Sequence, residues 1–284
     1  MQGVAKVGVH AFTAGGLAHG ALSYVDKVVA TAVQVFVGNP RGWARPPGNP
    51  EQDNAFLEGC AERDLPSFVH ASLIVNIGSP TAATVEQSGE VLAHALQRAA
   101  RIGAQGVVFH AGSAVDPAHY PEAMKQVRET LLPLLEALPE GGPVLLVEPS
   151  AGGGRSLASK VEDLGPYLAA VDHHPALGVC LDTCHAWAAG HDLATPGGMT
   201  AMLDSLARIA GDRLKLVHAN DSKDVCGSLR DRHENIGAGM IGRAAFAELV
   251  DHPSTKGVPI IVETPGERHT ADIALLRDLR TVGI

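Results

Sequence analysis

The chain has 284 residues, 45% of them hydrophobic and 19% charged, enough apolar material for a substantial core. Its apolar runs are strand-sized, short of the ~20 residues a membrane helix needs, and its 32 glycines and 18 prolines are scattered without the period of a collagen or a low-complexity tract. A net charge of −9 and an aromatic content of 4% argue against gripping a polyanion or stacking many bases.

Cys60, Cys180, Cys184 and Cys226 are too few for a disulfide scaffold. The first strand-like segment follows within a few residues of Met1, with no basic-then-apolar leader before it. A soluble cytoplasmic protein without membrane association is therefore expected. Eight short apolar runs then succeed one another: KVGVH (6–10), AVQVFVG (32–38), SFVHA (67–71), GVVFHAG (106–112), PVLLVEP (143–149), LGVCLD (177–182), LKLVHAND (214–221) and PIIVETP (259–265). Each is nearly continuously apolar, as parallel strands buried on both faces are. Between them lie helical stretches. In VEQSGEVLAHALQRAARIGA (85–104), Val91, Leu92, Ala95 and Ala99 share one face and Gly103 supplies a stop. AMKQVRETLLPLLEAL (123–138) is another, and TADIALLRDLR (270–280) is the last. Eight strand–helix alternations predict an α/β fold, a (β/α)8 TIM barrel forming one domain over residues 1–284. A doubly wound sheet is the competing architecture, but AGGL (14–17) is no G-x-G-x-x-G turn.

The chemistry sits where these runs end. They finish on His10, His70, His110, Glu148, Asp182 (with His185 three residues on), His218 and Glu263, and the segment after the seventh run adds Asp231 and His233. In a barrel, the C-terminal strand ends and the loops beyond them form the active-site face. A lone histidine there is more often a hydrogen-bonded structural group than a ligand. So many together are another matter, because four carboxylates on one rim require a counter-cation. Imidazole and carboxylate donors with few thiols indicate zinc, manganese or iron. Cys180 and Cys184, flanking Asp182, read as packing residues.

Asp231-x-His233 sets two donors side by side, with His185 near enough in sequence to complete a set of three. His70, His110, Glu148, Asp182, His218 and Glu263 suffice for two further ions if one carboxylate bridges. The count supports three metals, an arrangement suited to in-line displacement at phosphorus. A one-metal sugar isomerase or epimerase is the alternative. Its quartet of the type Glu148, Asp182, His218 and Glu263 leaves five donors unexplained, whereas phosphodiester hydrolysis uses all nine.

These residues resemble the endonuclease IV family, the zinc-dependent apurinic/apyrimidinic endonucleases of base-excision repair. The likeness is carried by AGGL (14–17), VEPSAG (147–152), LDTCHAWAAGHDL (181–193), HANDSK (218–223), DRHENIGAGMIG (231–242) and IVETP (261–265), at matching separations over residues 6–265. It implies three zincs per chain, with manganese or iron as alternatives in some positions. His70, His110 and Glu148 would hold the first; Glu148 would bridge to a second completed by Asp182, His218 and Glu263; His185, Asp231 and His233 would hold the third. It implies incision 5′ to abasic sites, leaving a 3′-hydroxyl and a 5′-deoxyribose phosphate, and trimming of blocked 3′ ends. The nucleophile would be a hydroxide between the first two zincs, oriented by Glu148 and Glu263, with the third zinc stabilising the leaving oxygen.

Three divalent ions would take the net charge from −9 to −3, which softens the objection to a DNA partner. NPRGW (39–43) matches the family's DNA-probing loop, with Arg41 entering the duplex, although composition alone makes Arg41 a solvated loop arginine. Lys223 and Arg232, beside ligand motifs, are candidates for phosphate contacts. Where the family has an aromatic and then an aliphatic wedge after His70, this chain has Leu73 and Ile74. VEPSAG replaces an Asn-containing turn, and Glu234 stands where a second histidine is frequent. The expected form is a monomer acting on double-stranded DNA with abasic sites or blocked 3′ ends.

Overall fold

All eight apolar runs become strands in the computed structural model, which describes residues 6–281. They are β1 (Val7–His10), β2 (Val33–Phe36), β3 (Ser67–His70), β4 (Gly106–His110), β5 (Val144–Glu148), β6 (Leu177–Asp182), β7 (Leu214–His218) and β10 (Ile260–Val262). Every neighbouring pair is parallel, and the order β1-β10-β7-β6-β5-β4-β3-β2 closes on itself. Two short strands beyond β7, β8 (Asp221–Ser222) and β9 (His233–Glu234), form a separate antiparallel ribbon.

The outer helices are α1 (Ser23–Val28), α2 (Pro50–Glu62), α3 (Ala82–Arg101), α4 (Tyr120–Glu136), α5 (Leu164–Ala170), α7 (Gly198–Ala210), α8 (Arg243–Asp251) and α9 (His269–Thr281); α6 (Thr183–Ala188) is an extra turn-and-a-half directly after β6. The helix predicted over 85–104 is α3, and Gly103 beyond its end has φ +69°, a conformation that suits glycine. The one predicted over 123–138 is α4, which begins earlier because Pro121 fits a first helical turn, where its missing N–H costs nothing. Asn49 caps α2, its Oδ1 accepting from the N–H of Glu51 (2.9 Å) and Gln52 (3.2 Å). Among the described residues no helix is long and apolar enough to cross a membrane.

Strand alternation divides the core in two. Val9, Val33, Val69, Val107, Val147, Val179, Val217 and Val262 point outward and pack with the helices. Ala32, Phe68, Val108, Leu146, Cys180, Leu216 and Ile261 face one another inside the barrel and fill it. Two residues further along each strand the inward position recurs. There every strand presents a polar group: His10, Gln34, His70, His110, Glu148, Asp182, His218 and, just past the end of β10, Glu263. An apolar plug thus becomes the dry floor of a polar ring at the C-terminal mouth.

Candidate metal centre

Glu148 lies at the middle of the ring and is 1% exposed. Its Oε2 is 3.3 Å from His70 Nε2 and 3.6 Å from His110 Nε2. Its Oε1 is 3.0 Å from His218 Nδ1 and 3.3 Å from His185 Nδ1. His218 Nδ1 is also 3.3 Å from Glu263 Oε2. Next to this group, Asp231 reaches His233 Nε2 (2.9 Å) and His185 Nε2 (3.3 Å), and His233 Nε2 is 3.6 Å from Asp182 Oδ2. All nine donors expected from the sequence are therefore in one cluster. Donor atoms of His70, His110 and Glu148, of Asp182, His218 and Glu263, and of Asp182, His185 and His233 each lie mutually within 4.8 Å.

The imidazoles are oriented from behind. His70 Nδ1 donates to Ala71 O (2.7 Å), His185 Nδ1 to Pro149 O (3.0 Å), His233 Nδ1 to Glu263 O (3.2 Å) and His218 Nε2 to Gln34 Oε1 (2.9 Å). Each bond leaves the other nitrogen turned toward the carboxylates, the position from which it can carry a proton or bind a metal ion. Asp182 caps α6 by accepting from His185 N–H (2.9 Å), and Asn220 Nδ2 donates to its other oxygen (2.7 Å). Two buried atoms of this array, Glu148 Oε2 and His233 Nε2, have these charged neighbours but no hydrogen bond of acceptable geometry among the described residues. A buried carboxylate oxygen and an imidazole nitrogen left without a hydrogen bond in one donor cluster fit a cation.

The electrostatics show the same demand for positive charge. Burial opposes ionisation of Glu148, but His218, His70 and His185 outweigh it and hold the carboxyl well below its ordinary value. Burial also opposes charge on His218 and His185; their carboxylate neighbours, with Cys180 at His218, outweigh it and push both well above 6.5. Against burial, Asp231 and Asp182 push His233 up to about 9. At His110, burial is not offset by Glu148 and Asp231, and the imidazole falls to about 4. Burial raises Asp182. Carboxylates this crowded hold cations wherever they can, protons or metals.

His10 is in the ring but braces rather than joins the nine: its Nδ1 is 2.8 Å from Glu263 Oε1. Gln34, which the sequence reading passed over, completes the brace. Its amide nitrogen donates to Glu263 Oε1 (2.7 Å) and lies 2.9 Å from His10 Nδ1, while its oxygen holds His218. The available signal was a lone amide in AVQVFVG, in register with His10 across β1 and β2. Asp221 was also passed over. Buried at the start of the ribbon, its carboxylate accepts from the N–H of Gly237 (3.0 Å), Gly239 (3.1 Å), Ile241 (2.9 Å) and Gly242 (3.3 Å). Cys180 lies in the barrel interior and Cys184 in α6, both fully buried.

A cleft of about 580 Å3 opens over the ring, lined on its floor by His10, His70, His110, His185, Asp231, His233 and Glu263 and at its walls by Phe12, Phe36, Pro40 and Leu73. Of the side chains expected to meet DNA, Leu73 lines this cleft, whereas Ile74 is half-buried and outside its lining. Arg41 is exposed on a loop joined to that segment, Leu73 N–H and Ser72 Oγ both donating to Pro40 O (2.8 and 3.0 Å). Lys223 is exposed on the ribbon. Arg232 is exposed too, but its guanidinium is engaged by Asp224 through Nε (2.6 Å).

Residues 25–279 match the family described as xylose isomerase-like TIM barrel. The "Probable endonuclease 4" of Streptomyces coelicolor is 56% identical over 278 residues, covering 96% of this chain and 95% of its own. The crystal structure of endonuclease IV from Thermus thermophilus superimposes with a TM-score of 0.85 at 33% identity, over 98% of this chain and 100% of that one. A D-tagatose 3-epimerase-like protein shares the fold alone, with a TM-score of 0.74 at 18% identity over 98% and 97% of the two chains. A relative more than half identical along nearly the entire length, with the same closed barrel, means that this chain belongs to the endonuclease IV family.

Proposed function

We propose that this protein hydrolyses the phosphodiester 5′ to abasic sites in duplex DNA, leaving a 3′-hydroxyl and a 5′-deoxyribose phosphate, and that it trims blocked 3′ ends. One observation carries the reading: eight further imidazole and carboxylate donors gather around a buried Glu148 that touches His70, His110, His185 and His218 at once. The family's endonuclease names support it. The donor chemistry suits three zinc ions, with manganese or iron as alternatives. His70, His110 and Glu148 would hold one, Glu148, Asp182, His218 and Glu263 a second, and His185, Asp231 and His233 a third. Bound there, the metals supply positive charge to the phosphate and bring a water's pKa toward ~7.

The chain's own residues do the rest. Glu148 and Glu263 offer carboxylate oxygens that orient the attacking water, whose oxygen bonds to phosphorus as the P–O3′ bond breaks. His185, Asp231 and His233 form the set beside Glu148 that serves the departing 3′-oxygen. The apolar plug beneath the ring keeps bulk water from entering from below. Arg41, Leu73 and Ile74 would meet the duplex at the lesion, and Lys223 and Arg232 its backbone. A sugar isomerase or epimerase is the second reading on this fold, but its four-ligand site leaves His70, His110, His185, Asp231 and His233 without a role.

The test is metal analysis of purified protein followed by nicking of a duplex carrying one tetrahydrofuran residue. About three ions per chain and a cut 5′ to that residue are expected. One ion per chain, or an intact lesion strand with fully metallated protein, refutes the reading.

A further inference from the structure

We propose that Phe12 is a base-stacking element at the cleft mouth, taking the face of a nucleobase bared beside the abasic gap; the inference rests on the repair function proposed above. Phe12 follows β1 by two residues. At 65% exposure it is the most exposed large apolar side chain among the described residues. Scattered apolar side chains on a surface are ordinary, but Phe12 differs from most of the others in two respects. First, it lines the cleft whose floor holds the donor cluster, whereas the similarly exposed Val225, Leu229 and Met240 do not. Second, its ring is braced: Tyr24 meets it edge-on, centroids 5.7 Å apart at 70°. Tyr24 is fixed in turn by a 2.8 Å hydrogen bond between its hydroxyl and His269 Nδ1, and His269 Nε2 donates to Thr264 O (2.7 Å).

A rigid aromatic plane at the mouth of a polar site is built to receive a flat apolar surface, and it loses little freedom in doing so. A scissile phosphate lowered onto the cluster carries its neighbouring bases to the rim. In intact duplex those bases are covered by their stack. At an abasic gap the flanking base and the unpaired opposite base each bare a face, and an aromatic ring covers either one whatever its sequence. Phe12 would therefore favour damaged over intact DNA, with Leu73 on the same cleft as its aliphatic counterpart.

The experiment compares metal-loaded wild type, Phe12→Ala and Phe12→Tyr. It measures steady-state incision of a tetrahydrofuran duplex and the fluorescence of 2-aminopurine placed opposite the lesion or beside it. Phe12→Ala is expected to raise KM about tenfold, within the range of alanine substitutions at base-stacking aromatics, with the loss residing in KM and Phe12→Tyr restoring it. Binding by wild type quenches 2-aminopurine at one of the two positions, identifying the stacked base, and the quench disappears in Phe12→Ala. Unaltered metal content and thermal midpoint show that the ring does not act through the fold. KM within twofold of wild type, an unchanged quench, or a defect that Phe12→Tyr fails to repair overturns the proposal. A wild type that leaves the lesion uncut overturns the function itself, and the role of Phe12 with it.

Discussion

Gln34 carries no charge and is not among the nine donors, yet its replacement by leucine should loosen one metal selectively. Leucine is close to glutamine in size, so the substitution removes the amide without opening a large cavity in a position that is fully buried. Glu263 Oε1 keeps a partner, His10 Nδ1 at 2.8 Å. His218 Nε2 loses its acceptor at 2.9 Å and finds no other. A buried donor left unpaired costs ~1–3 kcal/mol, and loss of a ligand's supporting partner lowers metal affinity by ~10–100-fold, or ~1.4–2.7 kcal/mol at ~1.4 kcal/mol per tenfold. The two ranges agree because they describe one event, the imidazole no longer held with its Nδ1 lone pair toward Glu148 and Glu263. Competition with a chromogenic chelator reads it out. The ion assigned to Asp182, His218 and Glu263 should weaken by ~10–100-fold, while the sets anchored by His70 and His110 and by Asp231 and His233 hold theirs. Every ion bound within twofold of wild type would refute the reasoning.

Glu148→Gln replaces the shared carboxylate by an amide that cannot neutralise a cation; we expect at least one ion lost per chain by elemental analysis and incision reduced by ~100-fold or more. Three ions with wild-type turnover would remove Glu148 from the cluster. Asp53 is buried against Arg98, whose Nη2 donates to Oδ1 (2.6 Å), and Arg101, whose Nε donates to Oδ2 (3.0 Å). Hydrogen bonding from Arg98 outweighs burial and holds the carboxyl below its ordinary 3.8. A depressed folded pKa stabilises above the unfolded value and is lost as pH falls through the folded one. Asp53→Asn should therefore cost ~3 kcal/mol at pH ~7, where Arg98 is left buried without its counter-charge. The gap to wild type should narrow below pH ~4; equal gaps in urea unfolding at both values would refute it. Arg41→Ala should weaken binding to abasic duplex by ~10-fold, the scale of one charge-assisted contact, with metal retention unchanged. Unaltered affinity would make Arg41 a solvated loop residue.

The barrel was legible because strands buried on both faces cannot hide: each is a short apolar run, and the polar residue ending each run announces the mouth. The clustered donors were legible for the same reason. His110 and Glu148 stand out against GVVF and VLLV. What stayed hidden depends on distances that sequence does not carry. Gln34 is neutral, and its meaning comes from strand pairing that sets it beside His10. Arg232 reads as a free phosphate contact until Asp224 is seen to engage it. Phe12 draws no notice in the sequence, because its exposure and its edge contact with Tyr24 exist only in the folded chain. Helix boundaries moved by a few residues, where Pro121 and other local starts outweighed the periodic pattern.

The eight strand ends by themselves provide six of the nine donors. The other three, His185, Asp231 and His233, come from α6 and the ribbon inserted after β7. Their placement rests on Asp221, whose carboxylate gathers four backbone N–H groups from the returning loop and so fixes the path of the ribbon that carries Asp231 and His233. The loop can wrap so tightly only because Gly239 lacks a side chain: a Cβ there would lie 2.4 Å from Ser222 O and 2.5 Å from Asp221 Oδ1. The glycines of DRHENIGAGMIG and the aspartate of HANDSK are thus two halves of one anchor. A buried carboxylate satisfied entirely by backbone N–H groups is rigid, and rigidity is what holds loop-borne donors in place without strands behind them. In this fold, the donors beyond the ring are set in place by α6 and by an insertion folded around Asp221.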